Sequence, residues 1–290
     1  MKTLISALAL LVVSLHGADS LPLPDLATVS PDLVIPEVSA GPPAAGKRVR
    51  LTTSGWQGTQ VHHLLYLPTD WQAGGRFPVI VEYAGNGNYK NAFGDVSDGT
   101  VEGSRLGYGM SGGRGFLWIC LPYVQVQDGV KSNATKWWGD VEETKPYCQA
   151  TVRDVCAGYG GDADKVILCG FSRGSIGCNY LGLHDDAVAS LWRGFVCHSH
   201  YDEVNRKWPY PAADRASARA RLERLKGRPQ FISHEGSTAA VETGLTASGV
   251  PGDFTFVPIP FRNHSDAWVL CDLPERRKLR EWLKRVLKDG

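Results

Sequence analysis

The residues best suited to chemistry stand together in Gly170-Phe171-Ser172-Arg173-Gly174, a G-x-S-x-G pattern. A serine hydroxyl is a poor nucleophile until a base takes its proton, so the pattern asks for a histidine and a carboxylate elsewhere. On a strand-to-helix elbow the partners follow in the order serine, acid, histidine. His264, in Phe261-Arg262-Asn263-His264-Ser265, fits the base, being the only one of eight histidines between the last predicted strand and the last predicted helix. Glu235 is favoured as the acid, because His234-Glu235-Gly236-Ser237-Thr238 follows the preceding strand and holds no other carboxylate. Asp202, just past the strand ending near His200, is the alternative. Donors for a tetrahedral oxyanion are expected from the amide of Arg173 and, in Ala84-Gly85-Asn86-Gly87-Asn88, from that of Asn86.

Such an elbow works only between a strand and a helix, and the flanking sequence supplies both. Lys165 to Phe171 is the most strand-like run in the chain, and Ser175 to His184 has helical spacing. Elsewhere strand-length apolar runs alternate with helix-period stretches, which is the pattern of an α/β sheet. Val49 to Thr53 and Val61 to Leu67 predict an opening antiparallel pair, and Phe77 to Tyr83 and Phe116 to Pro122 predict central strands covered on both faces. Tyr147 to Tyr159, Ala212 to Leu225, Ala239 to Thr246 and Glu275 to Leu287 predict helices. Leu191 to His198, Gln230 to Ser233 and Phe254 to Pro260 predict the remaining strands.

The chain has 290 residues and 31 Lys plus Arg against 30 Asp plus Glu. That balance gives no basic excess to drive phosphate binding, so nucleic acid is not an expected partner. Met1-Lys2, the apolar run Leu4 to Leu15 and the small residues Ala18-Asp19-Ser20 predict a signal peptide over 1–20. The run is shorter than a membrane-spanning helix requires, so no stable membrane anchor is expected, and a secreted or periplasmic location is. Residues 21–46 hold six of 17 prolines and three charges, which predicts a proline-rich N-terminal arm or linker before a single catalytic domain over 47–290. Cys148 and Cys156 are eight residues apart on one predicted helix. That is about 12 Å of rise, too far for a disulfide. His198, His200 and Asp202 alternate on one strand face with His234 near, but groups lining the rim of a site account for them better than a metal does. The stretch Gln125 to Lys145 exceeds a plain connector and predicts one wall of the substrate pocket, with Trp137 and Trp138 as substrate-binding residues.

Taken with these motifs, Arg48 to Leu287 resembles the α/β-hydrolase superfamily. Trp137-Trp138, Asp162-Ala163-Asp164-Lys165-Val166 and the elbow are similar to the secreted esterases related to polyhydroxybutyrate depolymerases and to feruloyl or acetyl-xylan esterases. The chain departs from them at Tyr83-Ala84-Gly85 where His-Gly is usual, at Lys136 where a Cys precedes the tryptophans, and at Thr238 where an Asp is usual. The resemblance implies a mostly parallel central sheet of about eight strands with helices on both faces. It also implies an exported serine esterase, working without a cofactor or metal on a small-molecule or polysaccharide ester, such as an acyl or feruloyl substituent. A serine peptidase on the same frame and a catalytically silent binding protein are the alternatives.

Overall fold

The computed structural model describes residues 22–202 and 210–288; the leader expected over 1–20 lies outside the described residues. In chain order, β1 (Val38–Ser39) and β2 (Arg48–Leu51) precede β3 (His63–Tyr66) and β4 (Phe77–Tyr83). A small hairpin, β5 (Tyr89–Lys90) and β6 (Val96–Ser97), leads to helix α1 (Leu106–Ser111) and β7 (Leu117–Leu121). A second hairpin, β8 (Tyr123–Gln127) and β9 (Val130–Ala134), leads to α2 (Val141–Tyr159) and β10 (Gly161–Phe171). Then come α3 (Arg173–Tyr180), α4 (Asp186–Ala189), β11 (Gly194–His198), α5 (Arg215–Leu222), β12 (Gln230–Glu235), α6 (Ala239–Ser248), β13 (Phe254–Ile259) and α7 (Pro274–Lys288).

Nine strands form one sheet in the order β1-β2-β3-β7-β4-β10-β11-β12-β13. The pairs β2–β3 and β3–β7 are antiparallel, and from β7 to β13 every pair is parallel. Adjacent residues of the central strands go to opposite cores, as a two-residue period demands. Val79 and Val81 pack with Leu168 under α2 and α3, whereas Ile80 packs with Ile167 under α7. On α7 the buried residues Leu279, Trp282, Leu283 and Val286 recur at i, i+3, i+4 and i+7, one stripe facing that second core. After β4 the chain crosses to β7 on one side, and after β10 it crosses to β11 on the other. The strand order therefore reverses between β4 and β10, and in open α/β sheets ligands bind beyond the strand ends at such a point.

One prediction of extent needs correction. α2 starts six residues before Tyr147, because Asp140 caps it by accepting from Glu142 N and Glu143 N; Pro146 lies inside the helix and does not end it. The proline-rich arm lies against the body. Leu26 N donates to Asn263 Oδ1 (2.7 Å), Arg262 pairs with Asp25 (2.7 Å), and both guanidinium nitrogens of Arg276 reach Asp32 (2.8 Å). All seven cysteines carry free thiols.

Glu82, inside β4, is a buried carboxylate with a structural task. Its Oε1 accepts from Arg105 N (2.9 Å) and Leu106 N (3.1 Å), and its Oε2 from Gly107 N (2.8 Å) and Trp118 Nε1 (2.9 Å), so it caps the start of α1. Burial raises its pKa to about 7, helped by the charge of buried Asp266 and opposed by the three backbone donors. A carboxyl that binds its proton more tightly folded than unfolded loses stabilising effect as pH climbs from its ordinary range toward 7. The unfolding free energy of the wild type minus that of Glu82→Gln is therefore expected to fall between pH 5 and 7.5 in urea titrations. The amide, facing four donors with one acceptor, is expected to cost about 1–3 kcal/mol at pH 5. A difference that grows with pH would overturn this account.

Candidate active site

Ser172 occupies the one-residue elbow between β10 and α3, at φ 52° and ψ −111°. A left-handed backbone at a residue with a Cβ costs on the order of 1–3 kcal/mol and persists only where its surroundings force it. The two glycines of the motif show what forces it. A Cβ on Gly174 would lie 1.9 Å from Tyr83 O, and one on Gly170 would lie 2.2 Å from Gly174 C. The turn is thus wedged between β4 and its own helix, and only hydrogen atoms fit. Gly174→Ala is expected to displace the end of β4 and lower both the thermal midpoint and any activity at Ser172, by about 1–3 kcal/mol in stability or more. An unshifted midpoint would contradict the wedge.

His264 lies in the loop after β13, with its Nε2 3.0 Å from Ser172 Oγ and its Nδ1 2.6 Å from Glu235 Oε1. Glu235 is the last residue of β12, in register with Ile259 of β13, so the strand carries it where a following loop was expected. Burial acts to raise the pKa of Glu235, but the hydrogen bond from His264 and the neighbouring imidazoles outweigh it and hold the carboxyl well below its usual range. Asp202 is not brought to His264. It is buried and bound by both Nε (2.8 Å) and Nη2 (3.0 Å) of Arg221 on α5, and it accepts from Tyr210 Oη.

The other members of the histidine–aspartate constellation go separate ways. His198 is buried between Ser233 Oγ at Nδ1 (3.0 Å) and the Ser265 carbonyl at Nε2 (3.0 Å), and burial lowers its pKa to about 4. The His200 ring packs on that of His264 at 4.8 Å, and burial, then the charge of His264, lowers its pKa to about 3. Neither ring carries charge at neutral pH.

A cavity of about 160 Å³ opens over Ser172 and His264, lined by Asn86, Tyr89, Trp137, Trp138, Ile176 and the first residue of α3, Arg173. Both residues expected to offer oxyanion amides therefore border Ser172. A larger hollow of about 360 Å³ between α5 and α6 touches neither Ser172 nor His264. The two adjacent tryptophans differ. Trp137 stands at φ 52° and is 43% exposed at the mouth, whereas Trp138 is buried against Tyr123, Tyr180 and Tyr210 and serves as wall.

Compared as a sequence, the chain matches no known family model and no curated protein. Compared as a structure, it superposes on a fungal esterase from Rhizomucor miehei with a TM-score of 0.55 at 13% identity, over 83% of this chain and 82% of that one. It is likewise similar to Thermogutta terrifontis esterase 2 phosphoramylated by tabun (TM-score 0.53, 15% identity, 87% and 98% of the two chains). A third similar structure is a putative dipeptidyl aminopeptidase IV from Bacteroides ovatus (TM-score 0.51, 14% identity), of which the chain spans 35%. The chain has the α/β-hydrolase fold.

Two residues that hold the candidate site on this α/β-hydrolase frame were not legible in the sequence. Ser199, just past β11 at φ 81°, donates from Oγ to Glu235 Oε1 (3.0 Å) and lies 2.9 Å from His264 Nδ1. Asp95, between β5 and β6, accepts from His264 N (2.9 Å) and from Asn263 Nδ2 (2.9 Å), fixing the loop that carries the imidazole. The Asn91–Asp95 turn, closed by Asp95 N donating to Asn91 Oδ1 (3.0 Å), was the only local signal for the second, and nothing local marks the first.

Proposed function

We propose that the protein is an exported serine hydrolase that cleaves carboxylic esters, with Ser172 as nucleophile, His264 as general base and acid, and Glu235 as the orienting carboxylate. The observation that carries this reading is the pair of contacts on one imidazole, 3.0 Å to Ser172 Oγ and 2.6 Å to Glu235 Oε1. Ser172 Oγ attacks the ester carbonyl carbon while His264 Nε2 takes its proton. Glu235 accepts from Nδ1–H and favours the imidazolium that forms. The oxyanion is met by the amides of Arg173 and Asn86. Collapse expels the alcohol with the proton from Nε2, leaving an acyl-serine. Water then attacks it by the same relay in reverse and frees the acid.

Two named esterases among the structures of the same fold support ester over amide cleavage. For the substrate, Trp137 at the mouth and the apolar walls of Trp138 and Ile176 suit an acyl or aryl substituent on a sugar. A fluorophosphonate probe mapped by mass spectrometry is expected to mark Ser172, and a 4-nitrophenyl acetate assay beside a peptide anilide to show turnover of the ester. Turnover of the anilide alone would transfer the reading to a peptidase. No adduct and no turnover of either would refute a hydrolase.

A further inference from the structure

The residue after the nucleophile has a side chain that the scheme above does not use. Arg173 is 2% exposed, and among the described residues no carboxylate pairs with its guanidinium. Instead Nη1 donates to Trp137 O, and Nη2 donates to Gly85 O (2.8 Å) and Gly99 O (3.3 Å). The guanidinium carbon lies 3.9 Å from the centroid of the Tyr123 ring, and among the described residues Nε has no hydrogen-bond partner. Burial lowers its pKa to about 10, which still leaves it charged at neutral pH. A cation taken from water and given only carbonyl dipoles and a ring face is costly to keep, so a purely structural post would be better filled by an apolar side chain.

The three carbonyls show what the cation joins. Gly85 immediately precedes Asn86, whose amide is the second oxyanion donor proposed. Gly99 packs on Gly87 of the same loop, with a Cβ placed on Gly99 meeting Gly87 N at 2.7 Å. Trp137 carries the exposed indole, and its own N–H donates to the Asn86 side chain Oδ1 (2.7 Å). The two residues whose amides would face the oxyanion thus hold the Trp137 peptide by its two ends, Arg173 at the oxygen and Asn86 at the nitrogen. Both contacts fall on a residue whose backbone is left-handed, at φ 52°.

We propose that the Arg173 guanidinium is a positioning residue, tying the Gly85–Asn86 loop and the Trp137 wall to the nucleophile elbow so that the oxyanion hole is preformed. This rests on the reading of Ser172 as nucleophile. Its unpaired charge, next to the site where negative charge develops, adds to the same stabilisation without moving.

The test is Arg173→Ala with guanidinium chloride as the rescuing probe and potassium chloride at equal ionic strength as control. On 4-nitrophenyl acetate, kcat is expected to fall roughly 10- to 100-fold, less than the roughly 10²–10³ lost when an oxyanion donor is itself removed, with KM changed by less than about threefold. Inhibition by phenylboronic acid, whose adduct on a serine is a tetrahedral anion, is expected to weaken by the same factor, and millimolar guanidinium to restore both. A general loosening would lower kcat and leave the boronate affinity where it was, and that result would overturn the proposal. So would a cooperatively folded Arg173→Ala with wild-type kcat. If Arg173→Ala does not fold, Arg173→Lys carries the test, since it keeps a cation and loses the planar fork: parallel losses of kcat and boronate affinity support the proposal, and wild-type values of both overturn it. Absence of Ser172-dependent hydrolysis in the wild type is a different result and refutes the hydrolase reading itself.

Discussion

Ser172→Ala is expected to abolish ester hydrolysis, with kcat falling by roughly 10⁶, the size of loss seen when the nucleophile of a serine-histidine-carboxylate site is removed. What remains should not exceed the roughly 10³–10⁴ over water that an intact oxyanion hole and binding pocket supply by themselves. The fold should hold. Ser172 is 7% exposed, but among the described residues its hydroxyl hydrogen-bonds only the His264 imidazole, and alanine meets the same backbone constraint at φ 52° that serine already meets. The measurement is initial-rate hydrolysis of 4-nitrophenyl acetate beside a thermal melt. A variant whose midpoint matches the wild type and whose turnover stays near it would remove Ser172 from the chemistry. A collapse of the midpoint would show instead that the wedge between Gly170, Gly174 and β4 depends on the hydroxyl.

Where local chemistry decides a structure, the sequence was informative. The elbow required glycines on both sides of Ser172, and the glycines are there because a Cβ on Gly174 has no room beside Tyr83 O. His264 was found from its place after the last strand, since β13 and α7 are set by their own periodicity. Where long-range pairing decides, it was not. Chain order favours Glu235 over Asp202 without excluding either, and what separates them in space is Arg221, which arrives from α5 to take Asp202 into a buried ion pair. Composition marks residues 21–46 as an arm or linker but cannot say where it lies, which Asp25 and Asp32 decide by finding Arg262 and Arg276, more than 230 positions away. The early start of α2 follows from Asp140, whose side chain meets two free amides of the first turn, with Pro146 accommodated inside the helix. Trp137 and Trp138 have the same side chain and opposite fates, the first exposed at a left-handed backbone and the second buried among tyrosines.

The carboxylate makes the second large prediction. Glu235→Gln is expected to lower kcat by about 10⁴, as amide replacement of such an acid does elsewhere by stabilising the wrong imidazole tautomer. In the wild type, Oε1 accepts from both Ser199 Oγ and His264 Nδ1, whereas Oε2 is buried without a hydrogen-bond partner among the described residues. A glutamine can keep its carbonyl toward Ser199 only by leaving its N–H₂ in the place of Oε2, or can turn that N–H₂ toward Nδ1, which then must accept. Either way the charge that favoured the imidazolium is gone. The assay belongs at a pH high enough that the imidazole is neutral in both proteins, so that a displaced titration does not pass for a catalytic loss. Glu235 itself, held ionised well below its usual range, cannot supply the acid limb of a wild-type pH profile. Asp202→Asn separates the two carboxylates. It leaves Arg221 buried without its countercharge, so it is expected to cost about 3–5 kcal/mol of stability while kcat per folded molecule stays near wild type. A catalytic loss confined to Asp202→Asn would transfer the acid to that residue against the observed geometry. Small losses in both variants would leave Ser172 and His264 working as a dyad, with Ser199 at 2.9 Å as the group that holds Nδ1.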